Sequence, residues 1–292
     1  MNARVIALQT IPAAGALAAL LLVPSAGAQT RRIEKHFSVA GKPVVTVQSP
    51  AGRIQVKAWD RHEVLIVAQH TSSNAGVETE QAGNRIEVAT VIASGDAASG
   101  DEVSADYQVN VPVESELQIR TDSGNVTVES VHGDMSFDSV AADVALQDVE
   151  GYLVIKSIGG SLVCTRCSGR LDATSISGNF QLLQPNMDNV RVQTSSGSIL
   201  FDGSFLSRGI YVLKNYSGTI EVRFSSNDSF DVQAASLYGK VINQAPITPD
   251  KHRVRTPYAS NMAKSLFGSV NDGNAKVELS SFSGTIKILK RE

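Results

Sequence analysis

A small residue stands at every ninth position from Gly124 onward: Gly133, Ala142, Gly151, Gly160, Gly169 and Gly178 follow in turn. Two residues after each beat come Val126, Met135, Val144, Leu153, Leu162, Leu171 and Phe180. Four after come Val128, Phe137, Leu146, Ile155, Cys164, Ala173 and Leu182, and the positions between are mostly polar. That alternation is the period of a half-buried strand, and the glycine marks a bend where a positive φ or a close backbone approach costs little. Seven after the beat stand Val131, Val140, Val149, Ile158, Cys167, Ile176 and Pro185, so the bend itself is expected to turn a side chain inward.

One strand and one bend per fixed period describes a repeat fold in which no unit can bury its apolar side without neighbours. The predicted fold is therefore all-β, a glycine-punctuated β-solenoid built as a single-stranded β-helix or a prism-like coil with two units per turn. Val126, Val144, Leu162 and Phe180 then form one interior row, and Met135, Leu153 and Leu171 the opposing one. An antiparallel meander of hairpins is the alternative that the pattern leaves open. The beat loosens downstream, where Gly197, Gly218, Gly239 and Gly284 each precede an apolar residue at plus two.

The same grammar occurs early, in "AGRIQVKAW", where Ile54, Val56 and Trp59 follow Gly52. Trp59 is expected to point inward, with ligand stacking as the alternative. The strand-like runs "EVLIVAQ", "NRIEVATV" and "DYQVNV", with the loop Ala93 to Asp101 between the last two, read as a β-rich cap over the open end of the stack. The expected organisation is a leader over 1–28, an N-terminal cap over 29–112 and a repeat region over 113–292. A proline-rich, basic loop at 244–264 interrupts the repeat region.

The leader reads as a secretory signal: Arg4, an apolar run from Val5 to Val23, then the small residues Ala26, Gly27 and Ala28. A retained membrane anchor is the rival reading. Without the leader the chain carries 25 basic and 29 acidic residues, which gives no electrostatic case for nucleic acid. No later apolar run is long enough to span a bilayer, so an exported chain, periplasmic or extracellular, is expected.

The segments "SPAGRIQVKAWDRHEVLI", "YQVNVPVESELQIRTDSGNVTV" and "VELSSFSGTIKIL" resemble the exported putative-adhesin family of domain-of-unknown-function β-strand-repeat proteins, the toastrack domains. The resemblance covers nearly all of residues 33 to 290. It implies a β-solenoid or prism-like stack, an envelope location and a part in adhesion or envelope-stress sensing. It supplies no catalytic motif, and the lack of a transmembrane partner segment puts direct signalling in doubt.

Chemistry-bearing patterns are sparse. Calcium-binding nonapeptide rolls place Asp two residues after the glycine, a position that is apolar here. The two cysteines, Cys164 and Cys167, lack the further ligands of a zinc site. A local disulfide, two buried thiols, or a redox or metal role all remain open for them. His36, His62, His70, His132 and His252 are scattered, and Ser-Gly recurs too often for one serine to be a nucleophile. Asp134, Asp138, Asp143 and Asp148 crowd one stretch but fall on different phases of the unit, as solvated surface residues would. In the interrupting loop, Lys251, Arg253 and Arg255 are candidates for partner contact, with a plain solvated loop as the alternative. No catalytic, cofactor-binding or metal-binding residue is assigned. The expected function is a non-enzymatic envelope or surface interaction module. Its partner is an unidentified envelope component, protein or polysaccharide, and its oligomeric state is open. A polysaccharide-acting β-helical enzyme and a self-assembling structural spacer are the alternatives.

Overall fold

A computed structural model describes residues 31–70, 75–92, 103–249 and 264–291. The leader, the loop Ala93 to Asp101, and Lys251, Arg253 and Arg255 lie outside the described residues. The described chain is all-β, with strands arranged in two long ladders.

Successive strands alternate between the ladders, so that each pairs in parallel with the strand two further along. Strand Glu150–Ser157 pairs with Ser168–Ser175, placing Leu153 beside Leu171. The second half of Met135–Gln147 pairs with Ser161–Thr165, and that strand with Asn179–Leu183, so Val144, Leu162 and Phe180 align. Val126 joins the same row opposite Val144, and Met135 joins the other opposite Leu153. Both interior rows expected from the nine-residue beat are therefore in register. Their members are all buried in one continuous core, which forms because each strand offers alternate side chains to the space between the ladders. The long strands Glu116–Glu129 and Met135–Gln147 run through a corner and contribute to both ladders. The arrangement is β-helix-like, and parallel rather than the hairpin meander.

The order of coils departs from the order of sequence at both ends. Val44–Ser49 lies between Arg85–Ile92 and Glu116–Glu129, and Arg53–Trp59 lies between Asp106–Pro112 and Glu116–Glu129. Near the other end the last two strands, Ala275–Ser281 and Thr285–Lys290, are inserted beside Ile210–Asn215 and Thr219–Phe224. Phe230–Ser236 and Lys240–Asn243 stack beyond them. Antiparallel strands then close the stack: Glu63–His70 pairs with both Arg31–Ser38 and Asp106–Pro112, Ala75–Ala82 pairs with Arg85–Ile92, and Lys264–Val270 pairs with Phe230–Ser236. Reversed outer strands of this kind restrict end-to-end addition of further parallel layers.

Two corners join the ladders, and they work differently. At one, a non-glycine residue is left-handed once per turn: Ser130, Asp148, Arg166 and Gln184 have φ of 58°, 53°, 52° and 51°. Each flips the next residue inward, and Val131, Val149, Cys167 and Pro185 are buried. At the other, the expectation of an inward plus-seven residue fails. Val140, Ile158 and Ile176 are 44%, 52% and 58% exposed, and the residue before each takes the inner side of the corner instead, Ser139 and Ser157 half-buried and Ser175 buried. Trp59 also departs from expectation. Strand Arg53–Trp59 continues without a corner, so the parity that buries Ile54 and Val56 sends Trp59 to the outer side. There it is half-buried, its indole N–H donates to the Glu63 carbonyl at 2.8 Å, and the Arg61 guanidinium lies 4.8 Å from its ring.

Candidate functional site

The second corner has a chemical signature: a hydroxyl or amide residue, two turn residues, then a glycine. Ser175-Ile-Ser-Gly178, Thr194-Ser-Ser-Gly197, Asn215-Tyr-Ser-Gly218, Ser236-Leu-Tyr-Gly239 and Ser281-Phe-Ser-Gly284 repeat it. The first residue of each is buried and polar, and its side chain satisfies corner backbone groups that would otherwise be stranded. Ser175 Oγ accepts from Gly178 N at 2.8 Å, and Ser281 Oγ accepts from Gly284 N at 2.8 Å. The column also ties layers together. Ser157 Oγ donates to Ser175 Oγ at 3.0 Å, Thr194 Oγ1 to the Gly178 carbonyl at 3.1 Å, and Ser236 Oγ to the Gly284 carbonyl at 2.7 Å. The closing residue must be glycine because the corners stack on one another: a β-carbon on Gly197 would overlap the Gly178 carbonyl oxygen.

Holding the first residue inside forces the second outside. The outward positions form a ridge down the edge of the stack, in the layer order Val140, Ile158, Ile176, Ser195, Tyr216, Phe282 and then Leu237-Tyr238. Corner hydrogen bonds fix that order: Ser177 N to Ile158 O, Ser195 N to Ile176 O, Tyr216 N to Ser195 O, Ser283 N to Tyr216 O, and Tyr238 N to Phe282 O. Val140, Ile158, Ile176, Tyr216, Phe282 and Tyr238 are between 37% and 63% exposed, while Leu237 is half-buried. Tyr216 and Phe282 stack with centroids 4.4 Å apart, and Tyr238 meets Phe282 at 5.0 Å and 65°. With layers about 4.8 Å apart, the seven rungs run roughly 30 Å. Six exposed apolar rungs, interrupted only at Ser195, make the kind of surface that marks an interaction site.

A second feature is a groove of about 440 Å³ on the outside of one ladder, lined by Asn179, Gln181, Thr219, Glu221 and Lys287 with the apolar Leu200 beside them. Glu221 receives Arg223 Nε at 2.7 Å and Lys287 Nζ at 3.4 Å. Burial pushes its carboxyl up, but the two cations outweigh that and hold it below the usual carboxylate range. Asp202 shares Arg223 and also pairs with Arg291 at 2.7 Å. The carboxylate that lines the groove, Glu221, is thus charge-paired, and so is Asp202 nearby on the same cation. A general acid for glycoside cleavage needs the opposite shift, a carboxyl held protonated near neutrality.

The Toastrack DUF4097 family model matches residues 42–289. The chain belongs to that family. Two solved structures resemble this toastrack chain at low identity. One is a putative cell adhesion protein from Clostridium sporogenes, 9% identical, with a TM-score of 0.29, covering 90% of this chain and all of the other. The second is a putative adhesin from Bacteroides fragilis, 10% identical, with a TM-score of 0.45, covering 89% of this chain and 97% of the other. No curated protein matches the sequence.

The remaining sequence candidates are dispersed over the toastrack stack. The four aspartates of 134–148 do not converge. Asp134 Oδ1 accepts from Tyr152 N at 3.2 Å, Asp143 Oδ1 from Ser161 N at 2.8 Å, and Asp148 takes Arg166 at 2.6 and 2.7 Å. Each contact reaches the residue 18 further on, so these carboxylates fasten neighbouring layers. The Arg166 guanidinium holds the Asp148 carboxyl below its usual range. Asp138 faces Arg120 at 4.0 Å, and His132 faces Glu114 at 3.8 Å. Cys164 and Cys167 are buried around the inward corner with their sulfurs 2.01 Å apart and Cα atoms 5.9 Å apart. Among the described residues, no group of three or more His, Cys, Asp or Glu is placed to hold a metal ion, and no helix is long and apolar enough to cross a membrane. The ridge was absent from the sequence reading. Its signal in the sequence is the Ser, Thr or Asn three before each of Gly178, Gly197, Gly218, Gly239 and Gly284, together with Val140, Ile158 and Ile176 recurring at 18.

Proposed function

We propose that this chain is an exported, non-enzymatic interaction module of the cell envelope or surface, a β-solenoid scaffold whose contact surface is the corner ridge. The observation that supports this most is the ridge itself, exposed apolar and aromatic side chains on six of seven consecutive layers of a rigid stack. Apolar side chains in water carry a standing cost, and burying them against a partner removes it. The layers fix their spacing, so little side-chain ordering is lost on contact. The two corner types divide the labour, one filling the core and the other presenting side chains outward.

The adhesin descriptions of the two structural neighbours agree with this reading. The leader pattern over residues 1–28 is the ground for export to the periplasm or beyond. Lys251, Arg253 and Arg255 offer a second, electrostatic contact to anionic envelope material.

Co-sedimentation with envelopes of the native host tests the proposal. The wild-type chain is expected to pellet with them, and Ile158→Asp with Phe282→Asp to leave it in the supernatant while its thermal unfolding is unchanged. Equal pelleting of the wild type and the double variant overturns the ridge as contact surface. Hydrolysis of a polysaccharide by the purified chain would favour the enzymatic alternative.

A further inference from the structure

The ridge has an internal order that a generic apolar strip would lack. Beyond Val140 the column continues to the exposed carboxylate Asp122, which ends the apolar strip, and Ser195 occupies the middle rung of the seven that lie between Asp122 and the other end of the stack. On one side lie the aliphatic rungs Ile176, Ile158 and Val140, and on the other the aromatic rungs Tyr216, Phe282 and Tyr238. We infer that the partner of this ridge is a second copy of the same chain, docked antiparallel about a two-fold axis that crosses the ridge at Ser195. This rests on the ridge being the contact surface.

A two-fold axis in the interface plane, perpendicular to the ridge, sends each rung to the one equally far beyond Ser195. Ile176 then meets the aromatic ring of Tyr216 of the other copy, Ile158 meets Phe282, and Val140 meets Tyr238. Such an interface is isologous: every contact occurs twice, and the two halves need only complement each other. Three aliphatic rungs against three aromatic ones satisfy that, with the exposed serine pair Ser195-Ser196 giving close approach at the axis.

On the flank that follows the corner, charge obeys the same symmetry; the flank that precedes it sets Asp138 against Ala235, Lys156 against Ser280 and Thr174 against Lys214, which opposes no like charges. The operation keeps each flank on its own side, so the residue following the corner glycine on one rung faces its counterpart on the mirrored rung. At the outermost rungs these are Asp143, where Ala142 stands in place of the glycine, and Lys240, both exposed and of opposite sign. The intervening positions, Ser161, Asn179, Ser198, Thr219 and Thr285, are uncharged. Docking the copies in parallel, or shifted by a rung, loses this match. Exposed apolar area along the ridge comes to roughly 600 Å² per copy, near the top of what a monomer leaves uncovered. Two such faces give about 1,200 Å², the lower bound of a standard specific interface. The structure therefore favours a reversible dimer over an obligate one.

Multi-angle light scattering of the purified full chain across the micromolar range is expected to show a concentration-dependent rise to twice the monomer mass. Ile176→Asp and Tyr216→Asp should each weaken dimerisation at least tenfold. Oxidative cross-linking reads the axis directly. Ser195→Cys should form a reducible dimer with itself, whereas Ile158→Cys and Phe282→Cys should do so only when mixed. A monomer at all concentrations overturns the inference, as does a dimer that Ser195→Cys fails to trap. A monomer whose envelope binding still depends on the ridge sinks self-pairing and leaves the proposed function standing. A trapped dimer whose envelope binding ignores the ridge supports self-pairing and sinks the ridge as the envelope contact.

Discussion

Gly151 lies directly on Gly133: a β-carbon at Gly151 would overlap the Gly133 carbonyl oxygen of the neighbouring layer, and the φ of Gly151 is +140°. Steric overlap and backbone conformation both exclude a side chain. Gly151→Ala is therefore expected to destabilise the fold by about 3 kcal/mol or more. Gly83, with φ of +64° and nothing within 4 Å, supplies the comparison, and Gly83→Ala should cost about 1–2 kcal/mol. Urea denaturation of both variants checks this, and equal losses would mean that layer contact is not what the beat protects.

The hydroxyl column makes a separate prediction. Ser236 Oγ donates to the Gly284 carbonyl and accepts from Gly239 N at 3.1 Å, with the side chain fully buried. Ser236→Ala leaves both backbone groups unpaired and is expected to cost about 1–3 kcal/mol. Ser236→Thr keeps the hydroxyl and should recover part of the loss, a pattern that simple cavity formation would not give.

Much of this architecture was legible in the sequence, and the limits were physical. The interior rows Val126–Phe180 and Met135–Leu171 follow from parity alone, because a period of nine with two strands per turn returns each apolar residue to its own row. Parity does not reveal which corner is left-handed, so Val131 and Val140 look alike in sequence yet point in opposite directions. The difference lies one residue earlier: Ser130 is left-handed with φ of 58°, whereas Ser139 is partly buried at the corner. Coil order was hidden for another reason. Nothing in a strand's own pattern says whether its neighbour is next in sequence or, as with Thr219–Phe224 and Thr285–Lys290, some 66 residues away.

Acid should loosen the groove. The Glu221 carboxyl titrates below its ordinary value of 4.5 in the folded chain, through Arg223 and Lys287. A group with a depressed folded pKa adds stability that is present above the unfolded value and lost as pH falls through the folded one. Glu221→Gln is thus expected to lower stability at pH 7 and to flatten the loss seen on acidification below about pH 4.5. Thermal melts of the two proteins from pH 7 to 3 measure it, and parallel curves would show that Glu221 carries no net linkage.

The cysteine pair should be chemically closed. Alkylation of the denatured, unreduced chain is expected to label neither Cys164 nor Cys167, and labelling of both is expected after reduction. A bridge across so few residues constrains the unfolded chain only modestly, so the Cys164→Ser, Cys167→Ser double variant should lose about 2 kcal/mol. Two labelled thiols before reduction would return the pair to buried, unbonded residues.

The inserted C-terminal coil gives the strongest test of layer order. Phe230–Ser236 and Lys240–Asn243 reach the rest of the stack through Ala275–Ser281 and Thr285–Lys290, which pair on both of their sides. Removing residues 275–292 should therefore release everything from about 226 onward, and limited proteolysis should trim the chain back to the neighbourhood of Phe224. Deleting 227–270 instead removes an excursion whose ends already meet, since Asn271 Nδ2 donates to the Ser226 carbonyl at 3.2 Å. That variant is expected to keep Ala275–Ser281 and Thr285–Lys290 protected from hydrogen exchange as the last parallel layer. If the first truncation leaves 230–243 protected, or the second exposes 275–290, the terminal strands are not the keystone between these layers.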